Sequence, residues 1–164
     1  SFDVVSIAPI HKWDWVNFES IISPHQSIEV NISCPNVEHN KDILFGLDLW
    51  PSNNAKWRII KVPPNIENKM IDLLIDLGYS QIHASNTLPT DKGGLSGNIL
   101  KPYTLKIIDY IKKTHPHVEV IAGGGVNTVQ KAQEYLNAGA DYISLGTVCF
   151  TPWKLKYIIN YQYK

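Results

Sequence analysis

Residues 118–126 read Val-Glu-Val-Ile-Ala-Gly-Gly-Gly-Val, a β-branched run that ends in three consecutive glycines. Such a run is typical of a buried parallel strand. A helical pattern begins shortly after it, near Thr128. Glycines between a strand and a helix N-terminus suit a phosphate, because free backbone N–H groups and the helix dipole both favour an anion. The stretch therefore predicts a strand–loop–helix unit with an anion-binding loop.

Similar units fill the rest of the chain. Including residues 118–122, six short runs rich in Ile and Val predict strands; the other five are 4–7, 29–33, 58–62, 81–85 and 142–146. Apolar residues spaced three and four apart predict helices between them, at 15–22, 67–77, 104–113 and 129–138. Alternation of short strands and helices predicts a parallel α/β architecture.

Two parallel architectures compete. An open doubly wound sheet usually carries G-x-G-x-x-G after its first strand, and this sequence has no such motif there. A (β/α)8 TIM barrel instead places polar and glycine-rich residues after many strands, with a phosphate site after strands seven and eight. The loops at 123–125 and 145–147 match that last feature. We therefore expect residues 1–164 to form one partial TIM-barrel domain of about six units, strands three to eight, with the first two units before Ser1.

Composition excludes several classes of protein. The 164 residues are 44% hydrophobic, which argues against intrinsic disorder. Fifteen basic and fifteen acidic residues give a net charge of +0, which argues against a nucleic-acid partner. No apolar run approaches the ~18 residues of a transmembrane helix. Two cysteines far apart, Cys34 and Cys149, predict a reducing, cytoplasmic location rather than a disulfide framework.

The densest chemical signal is Asn31-Ile32-Ser33-Cys34-Pro35-Asn36. Alternation places Asn31 and Ser33 on the same side of their strand. Two carboxamides beside a thiol can hold a planar ligand rich in amide and carbonyl groups, and a thiol with a pKa of ~8.5 can accept a proton. The alternative is a small buried Cys beside a turn.

Other strand ends carry weaker signals. Lys61 ends an apolar strand, so its ammonium either reaches solvent or meets an anion or an electron-rich ring. Asn86 and Thr87 offer hydrogen bonds at the next strand end, and the glycines of 93–97 permit close backbone approach or form a flexible loop. The histidines lack the spacing of metal ligands, so no metal site is expected.

Taken in order, the motifs NISCPN, IKVPP, SNT, GGLSG, IAGGGV and GAD-x4-GT resemble the dihydroorotate dehydrogenase family, over residues 2–147. The resemblance implies an FMN-containing barrel that oxidises dihydroorotate to orotate in pyrimidine biosynthesis. It also implies a small-molecule substrate. Cys34 resembles the soluble class of the family, whereas some other members of the family carry a serine at this place.

The resemblance implies a role for each matching residue. Cys34 is the expected base, and Asn31, Asn36, Asn86 and Thr87 are the expected substrate contacts. The expected FMN contacts are Asn31, Lys61 and Ser85 at the flavin ring, and Gly97, Gly124, Gly125, Gly146 and Thr147 at the phosphate.

Other functions remain open. A related flavin barrel, such as a dihydropyrimidine dehydrogenase-like domain or a tRNA-dihydrouridine synthase, also places a Cys near a Pro after a strand. The neutral charge argues against tRNA. The third alternative is an inactive remnant, or a partial barrel that needs another segment or forms a homo-oligomer through its open edges.

Overall fold

The computed structural model describes residues 4–23, 25–32, 46–48, 57–85, 87–90 and 93–162. The strands are β1 (Val5–Ile7), β2 (Ile28–Asn31), β3 (Arg58–Val62), β4 (Gln81–Ala84), β5 (Leu88–Thr90), β6 (Gly93–Leu95), β7 (Glu119–Ala122) and β8 (Tyr142–Ile143). The helices are α1 (Lys12–Ile21), α2 (Asn68–Asp76), α3 (Lys101–Thr114), α4 (Val129–Asn137) and α5 (Pro152–Gln162). Short 3-10 turns at Asn98–Leu100 and Thr147–Phe150 precede α3 and α5.

Six of the strands form one parallel sheet. Its order is β1-β2-β3-β4-β7-β8, so the strands follow one another across the sheet as they do along the chain. A doubly wound sheet reverses its direction at a switch point, whereas a barrel wall does not. The observed order therefore agrees with the barrel that the sequence predicts.

The two faces of this sheet differ in polarity. One face is apolar and no more than 1% exposed at Ile28, Val30, Ile60, Val62, Ile82, Ala84, Val120 and Ala122. It packs in one cluster with side chains of α2 and α3, among them Ile71, Leu74, Ile108 and Ile111. The alternate residues form the opposite face, here named the polar face, which carries Glu29, Asn31, Lys61, Gln81, His83 and Glu119. Ile59 and Ile121 lie on this face as well. Since parallel sheets are usually apolar on both faces, its six polar residues make it a candidate location for a ligand site.

Helix ends agree with the sequence pattern. Gly78 and Gly139 follow α2 and α4 with φ values of 101° and 109°, the left-handed conformation that glycine adopts at low cost. Thr128 caps α4, and its Oγ1 accepts a hydrogen bond from the N–H of Lys131 at 3.3 Å. This cap fixes the start of α4 just after the three glycines.

Two parts of the structure were not predicted from the sequence. β5 and β6 pair as an antiparallel hairpin where only a loop was expected, because Pro89 and the glycines at 93 and 94 are unusual in strands. α5 was also missed, and it carries the exposed aromatic side chains of Trp153 and Tyr157. Within the described ranges, no helix is both long enough and apolar enough to cross a membrane.

Candidate functional site

A cavity of about 190 Å³ opens at the carboxyl ends of β3, β4, β7 and β8. This is the end of a barrel at which active sites are built. Its polar lining consists of Lys61, His83, Ser85, Thr87, Ser96, Ser144 and Thr147, and the remainder of Gly97, Leu100, Gly123, Gly124, Gly125, Val126 and Gly146. The structure thus brings together eight of the predicted site residues: Lys61, Ser85, Thr87, Gly97, Gly124, Gly125, Gly146 and Thr147.

The glycine loop packs backbone against backbone. Gly124 and Gly125 have φ values of 99° and 73°. A Cβ on Gly125 would lie 2.7 Å from the backbone nitrogen of Asn98 and 2.8 Å from the carbonyl carbon of Gly97. Such distances are far inside van der Waals contact, so this loop requires glycine at position 125.

Two other glycines leave space open. A Cβ on Gly97 or Gly146 would meet nothing within 4 Å, and both residues line the cavity. Bare backbone beside open space lets a ligand approach the peptide groups closely. These positions therefore suit a phosphate or another group that binds backbone N–H donors.

A chain of hydroxyl groups anchors the glycine loop from behind. Thr104 on α3 donates through Oγ1 to the carbonyl of Gly123 at 3.0 Å, and Ser85 lies 3.1 Å from the same Oγ1. Because the Thr104 proton is used on Gly123, Ser85 donates to Thr104 and keeps its own oxygen lone pairs available. Tyr135 of α4 donates to the carbonyl of Gly124 at 2.9 Å.

The hydroxyl of Thr87 lacks a partner among the described residues. Its Oγ1 is buried and makes no hydrogen bond there, although the residue lines the cavity. Buried polar atoms almost always have a partner in native structures. The Thr87 hydroxyl is therefore a candidate for a hydrogen bond to a ligand in the cavity.

The carboxylate of Glu29, the imidazole of His83 and the ammonium of Lys61 lie on the polar face beside the cavity. The Oε2 atom of Glu29 is 2.5 Å from Nδ1 of His83, and its Oε1 accepts a hydrogen bond from Ser6 at 2.9 Å. Burial alone raises the pKa of Glu29, but the hydrogen bond and charge of His83, the charge of Lys61 and the Ser6 hydroxyl together lower it below its usual value. Glu29 is therefore ionised at neutral pH.

The remaining predicted residues divide into two groups. Asn31 ends β2 directly opposite Lys61 in the register, and the N–H of Ile32 donates to the Lys61 carbonyl at 3.2 Å. Cys34, Asn36 and Asn86 lie outside the described residues. Within the described ranges, no group of three His, Cys, Asp or Glu residues could hold a metal ion.

Sequence reasoning missed Glu29 and His83 as site residues. Both occupy positions of parallel strands that are normally apolar, which is the signal that could have identified them. Thr104 was missed because it lies within a helix, far from any strand end.

Known proteins resemble this chain over most of its length. The family model described as dihydroorotate dehydrogenase matches residues 5–160. The catalytic subunit of dihydroorotate dehydrogenase B (NAD(+)) from Thermotoga maritima is 32% identical over 154 residues, covering 81% of this chain and 56% of that protein. The corresponding subunit from Listeria innocua is 29% identical over 176 residues, covering 90% of this chain and 57% of that protein.

Solved structures share the fold. Ligand-free DHODH from Eimeria tenella superposes with a TM-score of 0.63 at 21% sequence identity, covering 81% of this chain and 49% of that one. The predicted TIM-barrel fold class is confirmed. The chain spans a little over half the length of the curated relatives it matches, 56% and 57% in the two proteins above.

Proposed function

Because the chain belongs to the dihydroorotate dehydrogenase family, we propose that it binds FMN in the glycine-lined cavity and that the protein oxidises dihydroorotate to orotate. One observation carries the proposal. The cavity joins the ammonium of Lys61, the bare backbone of Gly97 and Gly146, and the hydroxyl of Thr87, which has no partner among the described residues, at the carboxyl ends of adjacent strands. This set suits a ligand with a polar ring at one end and a phosphate at the other.

The described residues fit one part of FMN. Gly124, Gly125, Gly146 and Thr147 would hold the phosphate, because all four line the cavity, Gly146 leaves open space beside its backbone, and Thr147 begins the turn that precedes α5. Small-molecule sites usually measure ~300–1,000 Å³. At about 190 Å³, the cavity corresponds to one portion of such a site.

The chemistry is divided between the chain and its cofactor. When bound, FMN supplies the acceptor for the hydride that leaves dihydroorotate. Cys34 takes the proton from the neighbouring ring carbon, so that the C–C bond becomes a double bond and orotate forms. Asn31, Asn36, Asn86 and Thr87 orient the substrate through hydrogen bonds. Lys61 places its positive charge beside the flavin ring, which becomes electron-rich when it accepts the hydride.

Substrate preference tests this function against the related flavin barrels. We expect kcat/KM for dihydroorotate to exceed that for dihydrouracil by at least about 100-fold, because polar groups that would bind the carboxylate of dihydroorotate would stay unpaired with dihydrouracil, which lacks it. The measurement is flavin bleaching under anaerobic conditions with each substrate. A preference for dihydrouracil would instead favour a dihydropyrimidine dehydrogenase-like enzyme.

A second candidate is a partial barrel that needs another segment. Within the described sheet, β1 and β8 are edges, and unpaired strand edges are templates for association. Near the β8 end, Phe150, Trp153 and Tyr157 are 84%, 65% and 74% exposed. We expect the 164-residue chain alone to self-associate, as measured by light scattering after gel filtration. A stable monomer that binds FMN and turns over unaided would exclude this candidate.

A further inference from the structure

A buried carboxylate–imidazole pair lies on the polar face of the sheet, outside every role assigned above. Glu29 is on β2 and His83 on β4, so the pair crosses the intervening strand β3. The contact of 2.5 Å joins side chains that are only 14% and 8% exposed. A charge buried to this extent is costly unless its partners are fixed.

The protonation of the pair follows from its geometry. Glu29 is ionised, so both of its oxygens can only accept hydrogen bonds. Ser6 supplies one donor, and Nδ1 of His83 must supply the other. The carboxylate therefore fixes the orientation of the ring and holds a proton on Nδ1, as carboxylates do behind metal-bound histidines.

The other ring nitrogen lies close to the glycine loop after β7. A Cβ built on Gly123 would lie 3.5 Å from Nε2 of His83 and 3.7 Å from Oγ of Ser144. His83, Ser144 and Gly123 all line the cavity. Nε2 thus lies at the inner wall, between Lys61 on the neighbouring strand β3 and the glycine loop after β7.

We propose that His83 contacts the bound cofactor through Nε2, and that Glu29 is a positioning residue that orients the His83 ring toward it. This inference rests on the proposed function, since the cofactor is FMN. It adds a ligand contact from the inner wall of the cavity to those predicted at the strand ends.

Two variants test the pair. Glu29→Gln keeps the shape of the side chain but removes the charge, and His83→Gln can still donate to Glu29 while losing the second ring nitrogen. We expect each to weaken FMN binding by about 10–100-fold, by analogy with the loss of metal affinity when the hydrogen-bond partner of a metal-bound histidine is removed. Fluorescence titration with FMN gives the Kd, and the visible spectrum of bound flavin is expected to shift.

A matched control exists on the outside of the fold. Asp72 on α2 accepts hydrogen bonds from Nε2 of His115 at 2.8 Å and from Tyr110. Asp72→Asn breaks the same kind of pair away from the cavity, so the Kd for FMN should not change. If the Glu29–His83 pair were merely structural, Glu29→Gln and His83→Gln would lower the thermal unfolding temperature and leave the Kd for FMN and the flavin spectrum unaltered.

Nitrogen-15 NMR of the histidine rings, without FMN, tests the pairing directly. We expect the Nδ1 of His83 to carry a proton in the wild type and to lose that preference in Glu29→Gln. An unprotonated Nδ1 in the wild type would overturn the inference. Equal FMN affinity in the wild type and both variants would also overturn the inference, and it would leave the proposed function unaffected. Absence of FMN binding to the wild type would contradict the proposed function, and this inference with it.

Discussion

Substitution of Cys34 by alanine is expected to lower turnover of dihydroorotate by about 10²–10⁴-fold, the usual contribution of a positioned general base. FMN should remain bound, because the resemblance assigns Cys34 to the substrate and not to the cofactor. Stopped-flow measurement of flavin reduction separates the two effects. A variant that reduces its flavin at the wild-type rate would show that Cys34 is not the base.

Two further variants sharpen this test. Cys149 is exposed, and its Sγ lies 3.5 Å from the carbonyl of Leu145, so Cys149→Ala provides a matched loss of a thiol and should keep wild-type turnover. Cys34→Ser should retain part of the activity, since family members with serine carry a hydroxyl at this place. Its rate should require a higher pH, because a hydroxyl gives up its proton less readily than a thiol.

Substitution of Gly125 by alanine is expected to weaken FMN binding by at least about 100-fold. A left-handed backbone costs a residue with a Cβ roughly 1–2 kcal/mol, and the new Cβ would press on backbone atoms of Asn98 and Gly97 that cannot rotate away. The loop must therefore move, and its N–H groups move with it. The measurement is the Kd for FMN by fluorescence titration.

Gly93→Ala is the control for the backbone cost. Gly93 has a φ of 113°, a Cβ there would meet nothing within 4 Å, and the residue does not line the cavity. This variant should lose stability and keep its affinity for FMN. If Gly125→Ala also kept wild-type affinity, the loop at 123–125 would not be the phosphate site.

Much of the fold could be predicted because each strand is short, β-branched and followed by turn residues. The run at 58–62 coincides with β3, and the others differ from the observed strands by one residue at each end or less, except at 29–33 and 142–146. Strand 142–146 is shorter than predicted, because β8 pairs with β7 over only two residues. The hairpin of β5 and β6 could not be predicted, because its residues have the composition of a loop and only their pairing with each other makes them strands.

Site residues could be predicted from the sequence where the backbone conformation allows only one residue type. Gly124 and Gly125 follow a strand in the sequence, and their positive φ values explain why glycine is present. The Glu29–His83 pair could not be predicted in the same way. Its members are 54 residues apart, and only the register of β2, β3 and β4 brings them together. The roles of Cys34, Asn36 and Asn86 stay predictions.

A crystal structure of the protein with FMN and orotate tests the central claim most directly. We predict the phosphate on the backbone of Gly124, Gly125 and Gly146, the flavin ring beside Lys61, and the sulfur of Cys34 facing the ring of orotate. A Cys34 sulfur turned into aliphatic side chains, remote from the glycine loop, would contradict the account.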